Sequence, residues 1–333
     1  MAGGWRDLLR ADPIPWLIEP ENPAVRYSTL RYLLDRPADD PEVLVSQAAI
    51  PDYPPLAELL ASQEPDGFWV KRDYYLPKHD GTFWVLCVLG DVELTAKHPQ
   101  IQQGCDFIFT FQREHGPFCR RRRVSGRGIV WDTEPGPCTH ARIVRFLIQF
   151  GYGDDPRVRA AIDWLLASQR SHGMWDCGRP SRPGCLRATH DVLRVAALDS
   201  EAAAHPAVAR GAAAVCDLLV KGGMSRHHVG IPWTTLQWPP FDYGLISTLD
   251  SLARLGYTLD HPKIAEATDY LLSRQLTDGS WPLDQTSSSP PFDPGPPGKP
   301  NKWVTLEALK ALRLLLDTIP GEDWTDCAAG SRQ

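Results

Sequence analysis

The sequence lacks any long apolar segment: none of its 333 residues belong to an uncharged apolar run of about 18, the length that spans a bilayer. It therefore predicts no membrane-spanning helix. It also lacks an excess of basic residues, since the net charge is -6, and this argues against nucleic acid or an anionic membrane surface as partner. Residues 1–13 are charged and precede no apolar stretch typical of a secretory signal, so the expected compartment is the cytoplasm.

What the sequence does contain is an internal repeat. Four segments share a glutamine, a short polar turn, a glycine and an aromatic residue, at 63–69, 112–118, 169–175 and 275–281. The last gap is about twice the others, so a degenerate copy is expected near 221–224. Repeats of this length indicate stacked supersecondary units.

Each segment ends a predicted amphipathic helix, because proline suits the first turn of a helix and glycine suits its end. These predicted outer helices cover about 53–63, 98–112, 156–169, 206–221 and 262–275. A more apolar set alternates with them at 27–34, 82–89, 139–150, 189–198, 243–255 and 304–316. Helices that are apolar nearly all round are buried, so these are the predicted inner helices.

Alternation of about six inner with five to six outer helices predicts an all-α fold of the α/α-toroid class, with an open solenoid as the alternative. The predicted organisation is an N-terminal extension at 1–20, the toroid at 21–318 and a C-terminal tail at 319–333.

The Gln-x-x-x-Gly-x-Trp element resembles the repeat of squalene–hopene cyclases and of protein prenyltransferase β subunits. The resemblance implies a central apolar cavity that binds an isoprenoid. Two features depart from it: the protonating Asp-x-Asp-Asp motif of class II cyclases is absent, and squalene cyclases have two such domains where this chain has one. A repeat motif is structural and does not define an activity.

Two consecutive repeats carry loops with cysteines. Cys119 and Cys138 flank the first loop, and Cys177 and Cys185 flank the second. If the repeats stack in register, the four thiols lie at one rim, where they are suited to zinc. Free thiols and a disulfide or redox pair are the alternatives to this predicted zinc site. Protein prenyltransferases bind zinc at this rim, and the resemblance implies Cys138 and His190 as ligands.

Further polar residues are candidates for catalysis or substrate binding. His140 and His190 each follow a threonine at the start of an inner helix, so either is a candidate ligand or catalytic group. Asp242 opens the fifth inner helix and is predicted to be a general acid or base, with a helix cap as the alternative.

A basic loop lies beside the predicted zinc site. In it, Arg120, Arg123 and Arg127 are predicted to bind a diphosphate or carboxylate, whose oxygens match a guanidinium fork. A solvated basic loop is the alternative.

Together these features favour a zinc-binding enzyme that acts on an apolar, isoprenoid-like small molecule. One alternative is a non-catalytic scaffold that zinc stabilises and that binds a ligand or partner. The other is a carbohydrate-active toroid, which would require a pair of facing carboxylates in the cavity. The oligomeric state is not predicted.

Overall fold

The computed structural model describes residues 4–126, 128–131, 136–177, 184–219, 232–241, 244–285 and 293–316, and these are mostly helical. The α-helices are α1 (Ile14–Leu17), α2 (Pro23–Tyr32), α3 (Pro41–Ala49), α4 (Pro54–Ala61), α5 (Thr82–Asp91), α6 (Pro99–Phe109), α7 (Pro137–Leu147), α8 (Pro156–Ala167), α9 (Leu186–Ala196), α10 (Ser200–Ala203), α11 (Pro206–Leu218), α12 (Leu245–Arg254), α13 (Pro262–Ser273) and α14 (Lys302–Leu316). A 3₁₀ helix (Trp5–Leu8) and a π-helix (Ile148–Tyr152) accompany them.

Both predicted helix sets are present. The outer set is α4, α6, α8, α11 and α13, and the inner set is α2, α5, α7, α9, α12 and α14. All five outer helices begin at a proline, at the predicted start in α8, α11 and α13 and one residue after it in α4 and α6. The predicted all-α fold class, with inner and outer helices alternating along the chain, is confirmed.

Several elements were not predicted, among them a helix and a hairpin. Helix α3 lies between α2 and α4, and it lacks the glutamine–glycine–aromatic element that marks the repeats. An antiparallel hairpin of β1 (Arg121–Val124) and β2 (Gly128–Trp131) occupies part of the predicted basic loop. The expected degenerate repeat near 221–224 lies outside the described residues.

The chain divides into two compact units. Unit 1 joins the N-terminal segment up to Glu58 with the segment that starts at Cys216, and unit 2 comprises Leu59–Val215. In unit 1, α14 packs against both α2 and α12, so the first and last inner helices of the chain are neighbours. In unit 2, α7 packs against α5, α8 and α9. The predicted domain limits at 20 and 318 stay predictions.

The repeat motif links successive helices through the side chain of its glutamine. Gln63 Nε2 donates to the carbonyl of Gly67 within the same turn and to the carbonyl of Gln100, the second residue of α6. The same two bonds run from Gln112 to Gly116 and Arg157, and from Gln169 to Gly173 and Ala207. The amide thus joins the turn of each motif to the first turn of the next outer helix.

In unit 1 the N-terminal segment takes the place of the next outer helix. The backbone N–H of Arg10 donates to Oε1 of Gln275 at 2.8 Å, and the Arg10 side chain bonds the Gln275 carbonyl. Gly279 lies so close to Ala11 that a Cβ there would be 2.1 Å from the Ala11 carbonyl oxygen. None of the helices among the described residues combines the length and apolar character that a bilayer crossing requires.

Candidate functional site

A side-chain acceptor at the start of the inner helix sets the register of each repeat. The backbone N–H of the motif aromatic donates to a threonine Oγ1 in three repeats: Trp69 to Thr82, Trp175 to Thr189 and Trp281 to Thr305, at 2.9, 3.1 and 2.9 Å. In the remaining repeat, Phe118 N–H donates to Nδ1 of His140 at 3.1 Å. His140 therefore occupies the threonine position.

This register differs from the predicted one by one residue. The sequence suggests that Thr139-His140 matches Thr189-His190, but the acceptor position pairs His140 with Thr189. The histidines at 140 and 190 are therefore not equivalent. The reason is that an imidazole nitrogen accepts the same hydrogen bond as a threonine hydroxyl.

Both ring nitrogens of His140 are engaged with the backbone. Nδ1 accepts from Phe118 N–H, and Nε2 lies 3.1 Å from the Ala161 carbonyl, to which it donates in the matching neutral tautomer. Burial lowers the pKa of His140 to about 4. A neutral imidazole with both nitrogens occupied favours a structural role over the predicted catalytic one.

Three of the four cysteines predicted to bind zinc come together in unit 2, near the N-terminal ends of α7 and α9. Cys138, Cys177 and Cys185 lie within electrostatic range of one another, and the thiols of Cys177 and Cys185 are in hydrogen-bond contact. Cys119 is buried, and its Sγ lies 3.9 Å from the Pro117 carbonyl.

The metal fit of these thiols is poor. Within the described ranges, no group of three or more His, Cys, Asp and Glu side chains is arranged to hold a metal ion. Burial raises the pKa of Cys138, and it raises the pKa of Cys185 to about 12. Zinc binds thiolates, whereas these environments favour the protonated thiol. The predicted zinc site is therefore not supported, and zinc binding stays a prediction.

The inner helices α5, α7 and α9 carry buried charges that the sequence analysis missed. Arg142 Nε and Asp191 Oδ2 are 2.9 Å apart, with side chains only 3% and 1% exposed. Asp91 pairs with Arg145, and Arg194 Nη2 approaches its Oδ1 at 3.7 Å. In the sequence, these buried charges are marked by pairs of charged residues one helical turn apart, at 142 and 145 and at 191 and 194. Both pairs lie among apolar residues.

The ion pairs determine the charge states of this network. Burial alone raises the pKa of Asp91, but Arg145 and Arg194 outweigh it and hold the pKa below its usual range. Burial likewise opposes the ionised form of Asp191, yet Arg142 and His190 lower its pKa. Burial, followed by the positive charge of Arg145, lowers the pKa of Arg194 to about 10. Both carboxylates are therefore ionised at neutral pH.

His190 belongs to the same network. Its Nδ1 lies 3.7 Å from Asp191 Oδ1, and burial lowers its pKa despite that carboxylate. The geometry thus places a neutral imidazole beside an ionised carboxylate, an arrangement suited to proton transfer.

Three guanidinium groups lie near Tyr75 in unit 2. Arg187 and Arg142 lie within electrostatic range of that hydroxyl, as does the thiol of Cys138. Arg120 lies over the Tyr75 ring at 5.3 Å, and its Nη2 is 2.8 Å from Asp73 Oδ2. Burial raises the pKa of Tyr75 although the three arginines lower it, so the phenol stays protonated and can donate a hydrogen bond.

Aromatic rings hold Tyr75 in place. Its ring centroid lies 5.3 Å from that of Trp84 and 5.5 Å from that of Phe83, and Trp84 Nε1 donates to the Tyr75 carbonyl at 2.9 Å. Tyr74 continues the cluster, with its centroid 5.0 Å from that of Phe111. A buried aromatic cluster therefore adjoins Tyr75.

Among the predicted anion-binding arginines, Arg120 lies at this group. Arg123 lies on β1, but its side chain is outside the described part of the structure. Arg127 and the predicted general acid or base Asp242 also lie outside the described residues. Tyr75, Arg142 and Arg187 were not predicted. The repeated charge at 142 and 145 marks Arg142, whereas nothing in the local sequence marks Tyr75 or Arg187.

The repeats make the described part of the chain mostly helical, and part of the sequence is similar to a squalene cyclase. No family model matches the sequence. Over 136 residues the chain is 27% identical to a squalene–hopene cyclase from Bradyrhizobium diazoefficiens, and the match covers 40% of this chain and 20% of that protein. The predicted resemblance to squalene-cyclase repeat proteins is thus confirmed, although this chain matches only a fifth of the relative's length.

Solved structures give a more distant likeness. A protein from Actinoplanes is 18% identical, with a TM-score of 0.46 over 88% of this chain and 89% of that chain. The type II terpene cyclase MstE from Scytonema is 17% identical, with a TM-score of 0.46 over 88% and 87%. At this level neither structure bears on the activity of the chain.

Proposed function

We propose that the chain binds an apolar, isoprenoid-like small molecule with an anionic end, and that unit 2 recognises this end around Tyr75. Two observations support the proposal. One is the sequence similarity to a squalene–hopene cyclase. The other is the group of three arginines near the half-buried Tyr75, and it carries the proposal because it predicts a specific ligand chemistry.

The arrangement matches an anionic head followed by an apolar chain. The guanidinium groups of Arg120, Arg142 and Arg187 suit carboxylate or diphosphate oxygens, and the protonated Tyr75 adds a neutral donor. The buried rings of Phe83 and Trp84 make the surroundings of Tyr75 apolar, which suits the chain that follows such a head.

Catalysis in this proposal involves His190. Its neutral imidazole accepts a proton, and the Asp191 carboxylate orients the ring and stabilises the resulting cation. Zinc has no step in this scheme, because the thiols near Cys138 do not form a metal-holding group among the described residues.

A carbohydrate-active enzyme is less well supported. Glycoside hydrolysis needs one carboxyl group kept protonated by a raised pKa. Asp91 and Asp191 are the carboxylates buried within the inner helices of unit 2, and arginines lower the pKa of each. Neither therefore provides the protonated acid.

Titration of the purified protein with two probes tests the proposal. We expect geranylgeranyl diphosphate to quench tryptophan fluorescence at lower concentration than the uncharged geranylgeraniol. Arg187→Gln should weaken diphosphate binding about 10- to 100-fold, since a charge-assisted hydrogen bond contributes about 1.5–3 kcal/mol, and leave the alcohol unaffected. Arg159→Gln is the matched control, because this guanidinium of unit 2 pairs with Asp199 and Glu201 instead.

Equal affinity of the wild-type protein for diphosphate and alcohol would contradict the anionic head. Absence of binding to either probe would contradict the isoprenoid ligand. Binding without any product after prolonged incubation would favour the non-catalytic scaffold over the enzyme.

A further inference from the structure

We propose that Cys177 and Cys185 form a reversible disulfide, with a low-molecular-weight disulfide such as oxidised glutathione as the oxidant. This oxidation site is separate from the proposed ligand-binding role, and it does not depend on it. The two thiols lie on the loop between the motif aromatic Trp175 and the inner helix α9.

Backbone geometry holds the two cysteines side by side. The N–H of Cys185 donates to the Trp175 carbonyl at 2.8 Å, and the N–H of Gly184 donates to Asp176 Oδ1, also at 2.8 Å. These bonds place residues 175 and 176 beside residues 184 and 185, and Cys177 follows directly after the first of these two segments. The thiols of Cys177 and Cys185 are accordingly in hydrogen-bond contact.

Nearby groups distinguish this pair from the third thiol. Cys138 Sγ and the Cys177 carbonyl oxygen each lie 3.9 Å from the point where a Cβ on Gly136 would stand. Cys138 thus lies beside the backbone of Cys177, whereas Cys185 contacts the Cys177 thiol. The sulfur of Cys185 is also anchored, because it accepts the N–H of Ala188 at 3.4 Å in the first turn of α9.

Exposure determines the order of the two steps. Cys177 is half-buried and Cys185 is buried, so the oxidant meets Cys177 first. The Cys177 thiolate attacks one sulfur of glutathione disulfide, the S–S bond breaks, and one glutathione leaves and takes up a proton. Cys185 then loses its proton and attacks the Cys177 sulfur, which releases the second glutathione. Two protein thiols are oxidised by two electrons, and one disulfide is reduced to two thiols.

The experiment exposes the purified full-length protein to buffers of increasing oxidised-to-reduced glutathione ratio. Remaining thiols are then alkylated, and the protein is digested without reduction for mass spectrometry. We expect a linked peptide pair that contains Cys177 and Cys185 and disappears on reduction. Cys185→Ser should instead accumulate glutathione on Cys177, because the resolving thiol is gone. Cys138→Ser should form the same linked pair as the wild type, and Cys216→Ser, which removes a buried cysteine of α11, is the matched control.

Three results would overturn the proposal. One is alkylation of both cysteines at every glutathione ratio. Another is a linked pair in which Cys138 replaces Cys185 as the partner of Cys177. The third is a protein that binds one zinc ion through these cysteines and thereby protects them from glutathione, which would restore the metal site predicted from the sequence.

Discussion

The backbone N–H of Phe118 donates to Nδ1 of His140 at 3.1 Å, in the place where a threonine hydroxyl accepts the equivalent bond in three other repeats. Every repeat with a described motif aromatic thus meets the same requirement, an acceptor for a buried N–H at the start of the inner helix. An unpaired buried N–H costs about 1–3 kcal/mol. The requirement fixes the position of the residue and leaves its chemical type open.

Replacement of His140 by two side chains of equal shape tests this requirement. His140→Thr keeps an acceptor for Phe118 N–H, whereas His140→Val removes it. Both leave the same gap beside Phe118 and Trp164, so we expect the Val variant to be less stable than the Thr variant by about 1–3 kcal/mol. Urea unfolding of the two variants gives the difference. Thr189→Val is the parallel change in the next repeat, and equal stability of both His140 variants would contradict the role assigned to the acceptor.

The buried imidazole also predicts a dependence of stability on pH. Burial lowers the pKa of His140 to about 4 in the folded protein, while the unfolded chain has the usual value of about 6.5. Between these values only the unfolded chain binds the proton, so stability is fully present above about pH 6.5 and falls as the pH drops toward 4. The loss is about 3 kcal/mol for this residue.

Unfolding free energies of the wild type and His140→Thr at a series of pH values between 4 and 7 measure this effect. Other groups titrate in both proteins, so the difference between the two curves isolates His140. We expect the difference to change steadily over that range. Parallel curves would mean that the imidazole at residue 140 is not held neutral.

The buried pair of Asp91 and Arg145 provides a third prediction. Loss of one partner leaves the other as a buried charge, so Arg145→Met or Asp91→Asn alone should cost about 3–5 kcal/mol. The double variant should lose less than the sum of the two, because neither charge remains stranded. A thermodynamic cycle from denaturant unfolding measures the coupling. The exposed pair Lys263–Glu266 is the control, with an expected coupling of about 0–1 kcal/mol.

The repeats show what the sequence could predict. Glutamine, glycine and tryptophan recur because each makes the same local contact in every copy, as with Gln63 at Gly67 and Gln169 at Gly173. Proline marks the starts of the outer helices for the same local reason. Helix α3 also begins at a proline, Pro41, but no glutamine–glycine–aromatic element follows it, so it lacks the signal of the repeat.

The candidate site depended on partners distant in the chain. Arg142 meets Asp191, and Arg145 meets Asp91, each at a separation of about one repeat. A charge in an apolar helix is understandable only when its partner on the neighbouring helix is known. The register at His140 differs by one residue from the predicted register, and the expected alignment of the cysteines depended on that register. The cause is similar, because no local pattern shows which side chain accepts the Phe118 N–H.

Alanine substitution at two glycines with nearly the same backbone conformation distinguishes the effect of steric contact from that of backbone strain. Gly279 and Gly256 have φ angles of +83° and +85°, so alanine at either position incurs a left-handed penalty of roughly 1–2 kcal/mol. A Cβ at Gly279 would also lie 2.1 Å from the Ala11 carbonyl oxygen, whereas nothing lies within 4 Å at Gly256. Since backbone must move to accept Gly279→Ala, we expect it to lower the free energy of unfolding clearly more than Gly256→Ala. The N-terminal segment that bonds Gln275 through Arg10 should become susceptible to proteolysis in the first variant alone. Equal losses of stability in the two variants, with no change in proteolysis, would show that close packing of the N-terminal segment on the last repeat motif contributes nothing to the stability of unit 1.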